Sequence, residues 1–203
     1  MKRTRFPVNR KSQKGKRFTA DFIPYETAQA KGNELLRSDK QAVIGFYILF
    51  SINSGLRVSD VLKIRHRDLI GLRPGEYLNL NEQKTGKFRE IQVNSKITEA
   101  YKYLTERLQV EPDQSVFLSN KQTVYRTESL NTILKKVFIE EKVPHISTHS
   151  LRKSFGRHVY ELNGNSEDAL IKLSELFQHS SMAITRKYLG LRREELGSIY
   201  MNL

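Results

Sequence analysis

An apolar run over residues 42–52 places the strongest constraint on how this chain folds, because its side chains must be removed from water. The run carries no charged residue, yet it is too short to cross a bilayer, and Ser51, Asn53 and Gly55 close it off. It therefore predicts a helix over residues 41–52 that lies buried in the core of a globular domain.

Apolar residues recur at helical spacing through most of the chain after residue 18. Asp39 is expected to cap the buried helix and Gly55 to end it, while Pro24 fits the first turn of an earlier helix. The other predicted helices are Tyr25–Leu36, 59–64, 95–108, 127–140, a helix capped by Thr148 that ends at Leu162, a helix capped by Ser166, 181–189 and 193–200.

The apolar pattern changes between residues 68 and 93, where apolar and polar residues partly alternate on both sides of a polar segment at 83–87. Gly86 suits a tight turn, and Lys84 is expected on or beside the tip of a hairpin. The sequence therefore predicts a mainly α domain with a small antiparallel β-sheet, an α+β fold that runs undivided over residues 19–203.

The charge balance indicates the kind of partner. The chain has 35 Lys and Arg against 22 Asp and Glu, a net charge of +13 and a pI near 9.9. Such an excess favours a polyanionic partner, most often nucleic acid, with a merely solubilising surface as the alternative. The chain has no cysteine, which excludes disulfides and thiolate metal sites and fits a reducing cytoplasm.

The first 17 residues carry eight Lys and Arg and no acid, which is more than half of the net charge. Because this segment has few apolar residues, residues 1–18 are predicted to form a basic arm that is disordered when free. Two interpretations stay open: an arm that follows DNA phosphates, with Arg17 among its contacts, or a solvated tail.

Two clusters of basic residues have the chemistry of a phosphate site. Arg57 follows the end of the buried helix, where its planar guanidinium can bind a phosphate; Asp60 could orient it or merely cap the next helix. His149 and Arg152 stand at positions i and i+3, on one face at the start of a helix, and helix N-termini already favour anions.

Tyr188 follows His179 by nine residues, after a predicted helix break. A phenol is a poor nucleophile at neutral pH unless cations stabilise the charge on the group that it attacks. Tyr160 and Tyr200 are the rival nucleophiles. Lys84 could donate a proton to a leaving oxygen, which a guanidinium practically cannot do.

The sequence has no cluster of Asp, Glu and His with the spacing of metal ligands and no Gly-rich nucleotide loop. We therefore expect no metal and no cofactor.

In this order, the motifs resemble those of the tyrosine recombinase, or phage integrase, family over roughly residues 19–190. The family's first arginine box resembles residues 54–62, SGLRVSDVL, with Asp60 in its acidic position. The hairpin lysine matches Lys84, the His-x-x-Arg box matches residues 149–152, and the third basic position and the nucleophile match His179 and Tyr188.

The chain departs from the family pattern at three places. Lys153 stands where many members have a second histidine, a change from which we expect little effect. Phe177 and Gln178 replace the usual Leu-Gly before His179, so the local turn could differ. The N-terminal core-binding domain that clamps DNA in the family is expected to be absent.

The resemblance implies a type IB topoisomerase-like catalytic fold in which Tyr188 attacks a DNA phosphate and forms a 3′-phosphotyrosyl link. It implies that Arg57 and Arg152 bind the phosphate oxygens, that His149 acts as acid and base, that His179 bonds the phosphate and that Lys84 protonates the leaving oxygen. The further expected DNA contacts are Lys87, Arg89, Arg186, Lys187 and Arg17.

The expected partner is double-stranded DNA. We expect the protein to be a monomer when free and a homo-tetramer on DNA. We expect it to be bacterial or phage-encoded and to lie in the cytoplasm with the nucleoid, away from any membrane. An apolar stripe after Tyr188 either joins the protomers or packs on its own domain. Its members are Leu189, Leu191, Leu196, Ile199 and Tyr200. Two other functions stay open: DNA relaxation of the topoisomerase IB kind, and regulation by DNA binding without turnover.

Overall fold

The computed structural model describes residues 19–81, 86 and 88–202, without the side chains of residues 192–195. Arg17, Lys84 and Lys87 lie outside the described residues, so their predicted roles are not addressed by the fold. The described helices are α1 (Tyr25–Leu36), α2 (Ala42–Ser54), α3 (Val58–Val61), α4 (Ser95–Thr105), α5 (Thr127–Val137), α6 (Thr148–Leu162), α7 (Glu167–Phe177), α8 (Met182–Leu189) and α9 (Leu191–Met201), with a 3-10 turn at His66–Asp68.

The strands β1 (Tyr77–Asn81) and β2 (Phe88–Gln92) form one antiparallel pair, with Leu78 opposite Ile91. Alternate residues of β2 are buried, so one face of the hairpin packs on the domain and the other faces water. The predicted fold class, mainly α with a small antiparallel sheet, is confirmed. The sheet begins at Tyr77 and not near residue 68, because the 3-10 turn and a loop occupy the intervening segment.

The helix α2 forms the centre of a large core and is buried along nearly its whole length. It packs against α1, α4 and α6. Its aromatic residues meet Phe117 from the segment before α5, since the rings of Phe46 and Phe50 lie 5.8 and 6.1 Å from the Phe117 ring. The apolar run at 42–52 is thus a core helix, and within the described residues no helix has the length and hydropathy needed to span a membrane.

Helix α6 separates this core from a smaller one. Leu151 near its start belongs to the large core, whereas Phe155 and Val159 pack against the second core. The buried members of the second core are Leu170, Leu173, Phe177, Leu189 and Leu191. The segment between α7 and α8 therefore lies beside α6, where the polar motifs of the sequence meet.

The helix caps show where local prediction succeeded and where it failed. Gly55 ends α2 in the left-handed conformation and Ser166 caps α7, both as predicted. Ser181, predicted as the first residue of a helix, is the N-cap of α8. The predicted cap by Asp39 is wrong, because Asp39 pairs with Arg107 of the segment after α4 and Gln41 occupies the N-cap position.

Other boundaries also differ from prediction, among them both ends of α3, which spans Val58–Val61 where 59–64 was predicted. Ser147, not Thr148, is the N-cap of α6, since its hydroxyl accepts the N–H of His149. Helix α4 ends at Thr105 and α5 at Val137, so each is three residues shorter at its C-terminus than predicted.

The contact between α1 and α2 leaves no room for a side chain at Gly45. A Cβ there would lie 2.2 Å from the Leu36 nitrogen and 2.7 Å from the Gly32 oxygen, both backbone atoms of α1. We expect Gly45→Ala to lower the free energy of unfolding by about 3 kcal/mol, because two packed helices must separate. Urea denaturation of the isolated protein measures this.

Gly197 in α9 provides the matched control, because no described atom lies within 4 Å of a Cβ at that position. Gly197→Ala should leave stability unchanged or raise it by up to about 1 kcal/mol through helix propensity alone. Equal effects on stability at both positions would show that the close approach of α1 and α2 does not restrict the size of the side chain at position 45.

Candidate active site

Two arginines that are far apart in the sequence meet at one backbone carbonyl. Arg57, at the N-cap of α3, donates from Nη2 to the Phe177 oxygen at 3.2 Å. Arg152, in the first turns of α6, donates to the same oxygen from Nη2 at 3.3 Å and to the Gly55 oxygen from Nη1 at 2.6 Å. The carbonyl at the C-terminus of α7, where the helix dipole is negative, thus holds two guanidinium groups side by side.

The turn at Gly55 makes this arrangement possible. Gly55 has φ of +61°, and a Cβ there would lie 2.3 Å from Cδ1 of Phe155. The left-handed turn presents the Gly55 oxygen to Arg152 and begins the short extended segment that carries Arg57. Arg152 is only 4% exposed, and its Cζ lies 4.3 Å from the centre of the Phe177 ring.

His179 follows a reversal of the chain at the end of α7. Gln178 adopts the left-handed conformation, with φ of +53°, at the position where the family pattern has glycine. The His179 N–H then donates to the Ser174 oxygen at 2.9 Å. Nδ1 of the imidazole lies 2.8 Å from Oγ1 of the buried Thr185, which fixes the ring.

Burial lowers the pKa of His179, and the neighbouring charges of Arg152 and Arg57 lower it further. The imidazole is therefore neutral near pH 7, and Nε2 is the ring nitrogen left for a hydrogen bond with a phosphate. A neutral ring beside two arginines avoids a third positive charge in the unliganded site.

Tyr188, on α8, completes the cluster. Its ring lies 5.5 Å from the Phe177 ring and 5.3 Å from the His179 ring, edge to face in both pairs. The hydroxyl oxygen is buried and has no hydrogen-bond partner of good geometry in the described part of the chain. Burial raises the pKa of Tyr188 to about 12, although Arg152 and Arg57 act in the opposite direction.

His149 lies at the start of α6 and is exposed. It lines a cavity of about 590 Å³ that also contains Lys153, Lys187 and Tyr188. The cavity therefore opens from the buried phenol toward the basic surface. Thr19 and Ala20, the first described residues, line it as well.

The other predicted site residues in the described part of the chain lie on α3, α8 and β2. Asp60 is buried on α3, and its N–H donates to the Arg57 oxygen at 2.9 Å. Arg186 is half-buried and Lys187 is exposed on α8. Arg89 is only 9% exposed on the packed face of β2. To make its predicted contact with DNA, its side chain would have to extend out from this face, past the hairpin.

The two rival tyrosines make no aromatic contact with Phe177 or His179 in the described part of the chain. Tyr160 packs beside the second core on the later part of α6, and Tyr200 is 78% exposed on α9. Neither contacts the carbonyl at which Arg57 and Arg152 meet. Of the three candidate nucleophiles, Tyr188 is the one that the fold places with the cations.

Sequence reasoning missed two residues that build the site. Phe177 supplies the shared carbonyl and the ring against which Arg152, His179 and Tyr188 pack; the sequence marks it as part of an apolar helix face and as a departure from the family pattern, but not as a site residue. Thr185 orients His179, and no sequence signal distinguishes it from an ordinary helix residue. Within the described residues, no group of three His, Asp or Glu side chains could hold a metal ion.

The lowered pKa of His179 has a consequence for stability. The unfolded chain binds a proton near pH 6.5, whereas the folded chain binds it only at lower pH, so stability must fall as pH drops below about 6.5. We expect His179→Gln to reduce this loss by up to about 1.4 kcal/mol per pH unit. Denaturation of DNA-free protein between pH 7.5 and 5 measures the difference.

The wild-type slope also contains the buried His66, whose pKa is lowered by burial, so the comparison between variants isolates His179. If the free energy of unfolding changes with pH in the same way in wild type and in His179→Gln, the imidazole is not neutral and desolvated as inferred.

Comparison with known proteins supports the interpretation of this cluster. The profile of the phage integrase family matches residues 29–195. The probable integrase/recombinase YoeC of Bacillus subtilis is 29% identical over 158 residues, which are 76% of this chain and 81% of that protein. Tyrosine recombinase XerC of Actinobacillus pleuropneumoniae is 32% identical over 153 residues, 73% of this chain and 47% of that protein.

Solved structures share the fold at low identity. XerH site-specific recombinase in a post-cleavage complex with its difH substrate superposes with a TM-score of 0.65 and 20% identity, over 89% of this chain and 52% of that one. The catalytic domain of bacteriophage HP1 integrase gives 0.55 and 17%, over 83% and 86%.

The chain thus spans about half the length of XerC and of XerH, and most of the length of YoeC and of the HP1 catalytic domain. The family match begins within α1, extends through α8 and includes Arg57, Arg152, Phe177, His179 and Tyr188. The chain belongs to the phage integrase family, the tyrosine recombinases, and the domain described here is a tyrosine recombinase catalytic domain.

Proposed function

We propose that this domain cuts and rejoins DNA at specific sites through a 3′-phosphotyrosyl intermediate with Tyr188 as the nucleophile. The observation that carries the proposal is the meeting of Arg57 and Arg152 at the Phe177 carbonyl, with the rings of His179 and Tyr188 packed against the ring of the same residue. Of the described residues, these combine a nucleophile with a paired binding site for a phosphate.

The chemical step follows from this arrangement. The Tyr188 oxygen bonds to phosphorus, the bond from phosphorus to the 5′ oxygen breaks, and the phosphate stays joined to the 3′ end. Arg57 and Arg152 bind the non-bridging oxygens, each contributing on the order of 3 kcal/mol to the transition state, as donors to an oxyanion do. His179 adds a hydrogen bond to the same oxygens.

Two protons move in this step. His149, which lines the cavity beside Tyr188, accepts the phenolic proton. Lys84, which lies outside the described residues, supplies a proton to the departing 5′ oxygen. A 5′-hydroxyl from a partner duplex reverses the reaction, so the energy of the broken bond is kept in the phosphotyrosine.

Double-stranded DNA is the substrate in this proposal. The net charge of +13 favours a polyanion, and the XerH structure that this chain resembles is a complex with DNA. Thr19 lines the cavity beside Tyr188, and residues 1–17, which precede it in the sequence, carry eight Lys and Arg and no acid. In this proposal residues 1–18 form a DNA-binding arm and residues 19–203 the catalytic domain.

The C-terminal stripe supports assembly on DNA. Leu189 and Leu191 are buried in the second core, whereas Leu196, Ile199 and Tyr200 are 49%, 58% and 78% exposed on α9. The first half of the stripe thus packs on its own domain and the second half is available to a neighbour. We propose that α9 joins a monomer to the next one, cyclically, in a homo-tetramer on DNA.

Covalent trapping tests the proposal without knowledge of the target site. The wild-type protein is incubated with a library of nicked duplexes that have a randomised central segment, and DNA that stays attached under denaturing conditions is sequenced. We expect an enriched motif and, with intact duplexes carrying it, products with exchanged flanks. Relaxed circles without exchange would favour topoisomerase activity, and binding without an adduct would favour a regulator.

A further inference from the structure

Lys153 is a buried lysine beside the proposed nucleophile. It follows Arg152 on α6, it is only 6% exposed, and its Nζ lies 5.1 Å from the centre of the Tyr188 ring. Burying an amine is unfavourable unless nearby groups compensate for the lost water. The burial of a lysine at this position therefore indicates that its amine, and not only its volume, contributes to the site.

Titratable residues near Lys153 come from three parts of the chain: the segment before α1, helix α6 and helix α8. Asp21, in the segment before α1, favours its protonated form, while burial lowers its pKa and is the larger effect. Lys187 on α8 and His149 on α6 line the same cavity of about 590 Å³. Lys153 also lines a second cavity of about 1000 Å³, together with Asp21 and Lys187, so it lies between the two.

The arginines of the site make different contacts from those of Lys153. Arg57 and Arg152 are held by the Phe177 carbonyl, where they are placed to bind a phosphate. Lys153 instead faces the aromatic ring. A cation over a tyrosine ring is attracted to the neutral phenol and far more strongly to the negatively charged phenolate.

We propose that Lys153 is a positioning residue for the nucleophile: its ammonium group holds the Tyr188 ring and favours the phenolate that attacks the phosphorus. This inference rests on the proposed function. In the balanced step, the phenolic proton passes to His149, the Tyr188 oxygen bonds to phosphorus, and the 5′ oxygen leaves with a proton from Lys84. Lys153 stays protonated throughout and takes no part in proton transfer.

The proposal predicts opposite effects on stability and on rate. Lys153→Met keeps the length of the side chain but removes its charge, so the free energy of unfolding should be unchanged or higher. The rate of cleavage in a single turnover at pH 7 should fall about tenfold, which corresponds to a rise of about one unit in the pKa of the nucleophile. The rising limb of the pH–rate profile should move to higher pH by a similar amount.

The choice of leaving group separates this role from that of a general acid. A duplex with sulfur in place of the bridging 5′ oxygen at the cleavage site needs no proton on its leaving group, because a thiolate leaves readily. This substrate should restore the rate of Lys84→Ala but not that of Lys153→Met. Lys172→Met, which changes an exposed lysine on α7, should match the wild type on both substrates.

Each outcome decides the proposal. A wild-type rate and pH profile in Lys153→Met, or recovery of its rate on the sulfur-containing duplex, would overturn it while leaving the function intact. A wild type that forms no adduct on any duplex would overturn the function and the inference together. Lys153→Gln is measured in parallel, so that a folded variant is at hand if the methionine variant does not fold.

Discussion

Tyr188→Phe is expected to abolish covalent capture of DNA without weakening the fold. The change removes the proposed nucleophilic oxygen and leaves the ring contacts with Phe177 and His179 in place. Because the ring stays packed and only the hydroxyl, which interacts with Arg152, is lost, the free energy of unfolding should change by no more than about 1 kcal/mol. Denaturing gels with a labelled duplex measure capture, and urea denaturation measures stability.

The rival tyrosines provide matched controls for this experiment. Tyr160→Phe and Tyr200→Phe should capture DNA as the wild type does, since in the described part of the chain neither ring makes the aromatic contacts with Phe177 and His179 that Tyr188 makes. Binding to an uncleaved duplex should be equal in all three variants. An adduct that survives in Tyr188→Phe and disappears in either control would assign the nucleophile elsewhere.

Arg152→Ala should produce the second large effect, on both rate and stability. The single-turnover rate of cleavage should fall by about 10²- to 10³-fold, as when a donor to an oxyanion is removed. The fold should also lose about 3 kcal/mol, because the Gly55 and Phe177 carbonyls lose charge-assisted hydrogen bonds and the Phe177 ring loses its cation. Quenched cleavage assays and urea denaturation, performed on the same preparations, measure the two losses.

Arg57→Ala separates the two effects. Arg57 is half-buried whereas Arg152 is only 4% exposed, so removal of Arg57 should cost less stability but a comparable factor in rate. Arg152→Lys keeps the charge but not the planar fork, so it should recover little of the rate. A cleavage rate in Arg152→Ala within a few-fold of the wild type would contradict the proposed phosphate site.

Local sequence signals were sufficient for most of the helices and for the hairpin. A proline at a helix start, apolar spacing and serine caps act within a few residues, which is why α1, the C-terminal end of α6 and the cap of α7 were predicted to the residue. The same local rule failed for Asp39, because Arg107 competes for its carboxylate from a distant part of the chain. Cap preferences are weak enough that one tertiary ion pair outweighs them.

The side chains of the candidate site were predicted from the sequence, but the contacts that hold them together were not. The arginine and histidine boxes identify the side chains. They do not show that the backbone oxygen of Phe177 joins Arg57 to Arg152, since a carbonyl has no sequence signature. Lys153 was similarly hidden, because its contact with Tyr188 depends on how α8 packs across α6.

The identity of the residue that becomes linked to DNA tests the central claim most directly. The trapped wild-type adduct is digested with nuclease and protease, and the nucleotide-bearing peptide is sequenced by mass spectrometry. We predict a single modified residue, Tyr188, joined to a 3′-nucleotide phosphate. A nucleotide on Tyr160, on Tyr200 or on any other residue would contradict the proposal that Arg57, Arg152 and His179 are arranged to activate the attack of Tyr188 on a DNA phosphate.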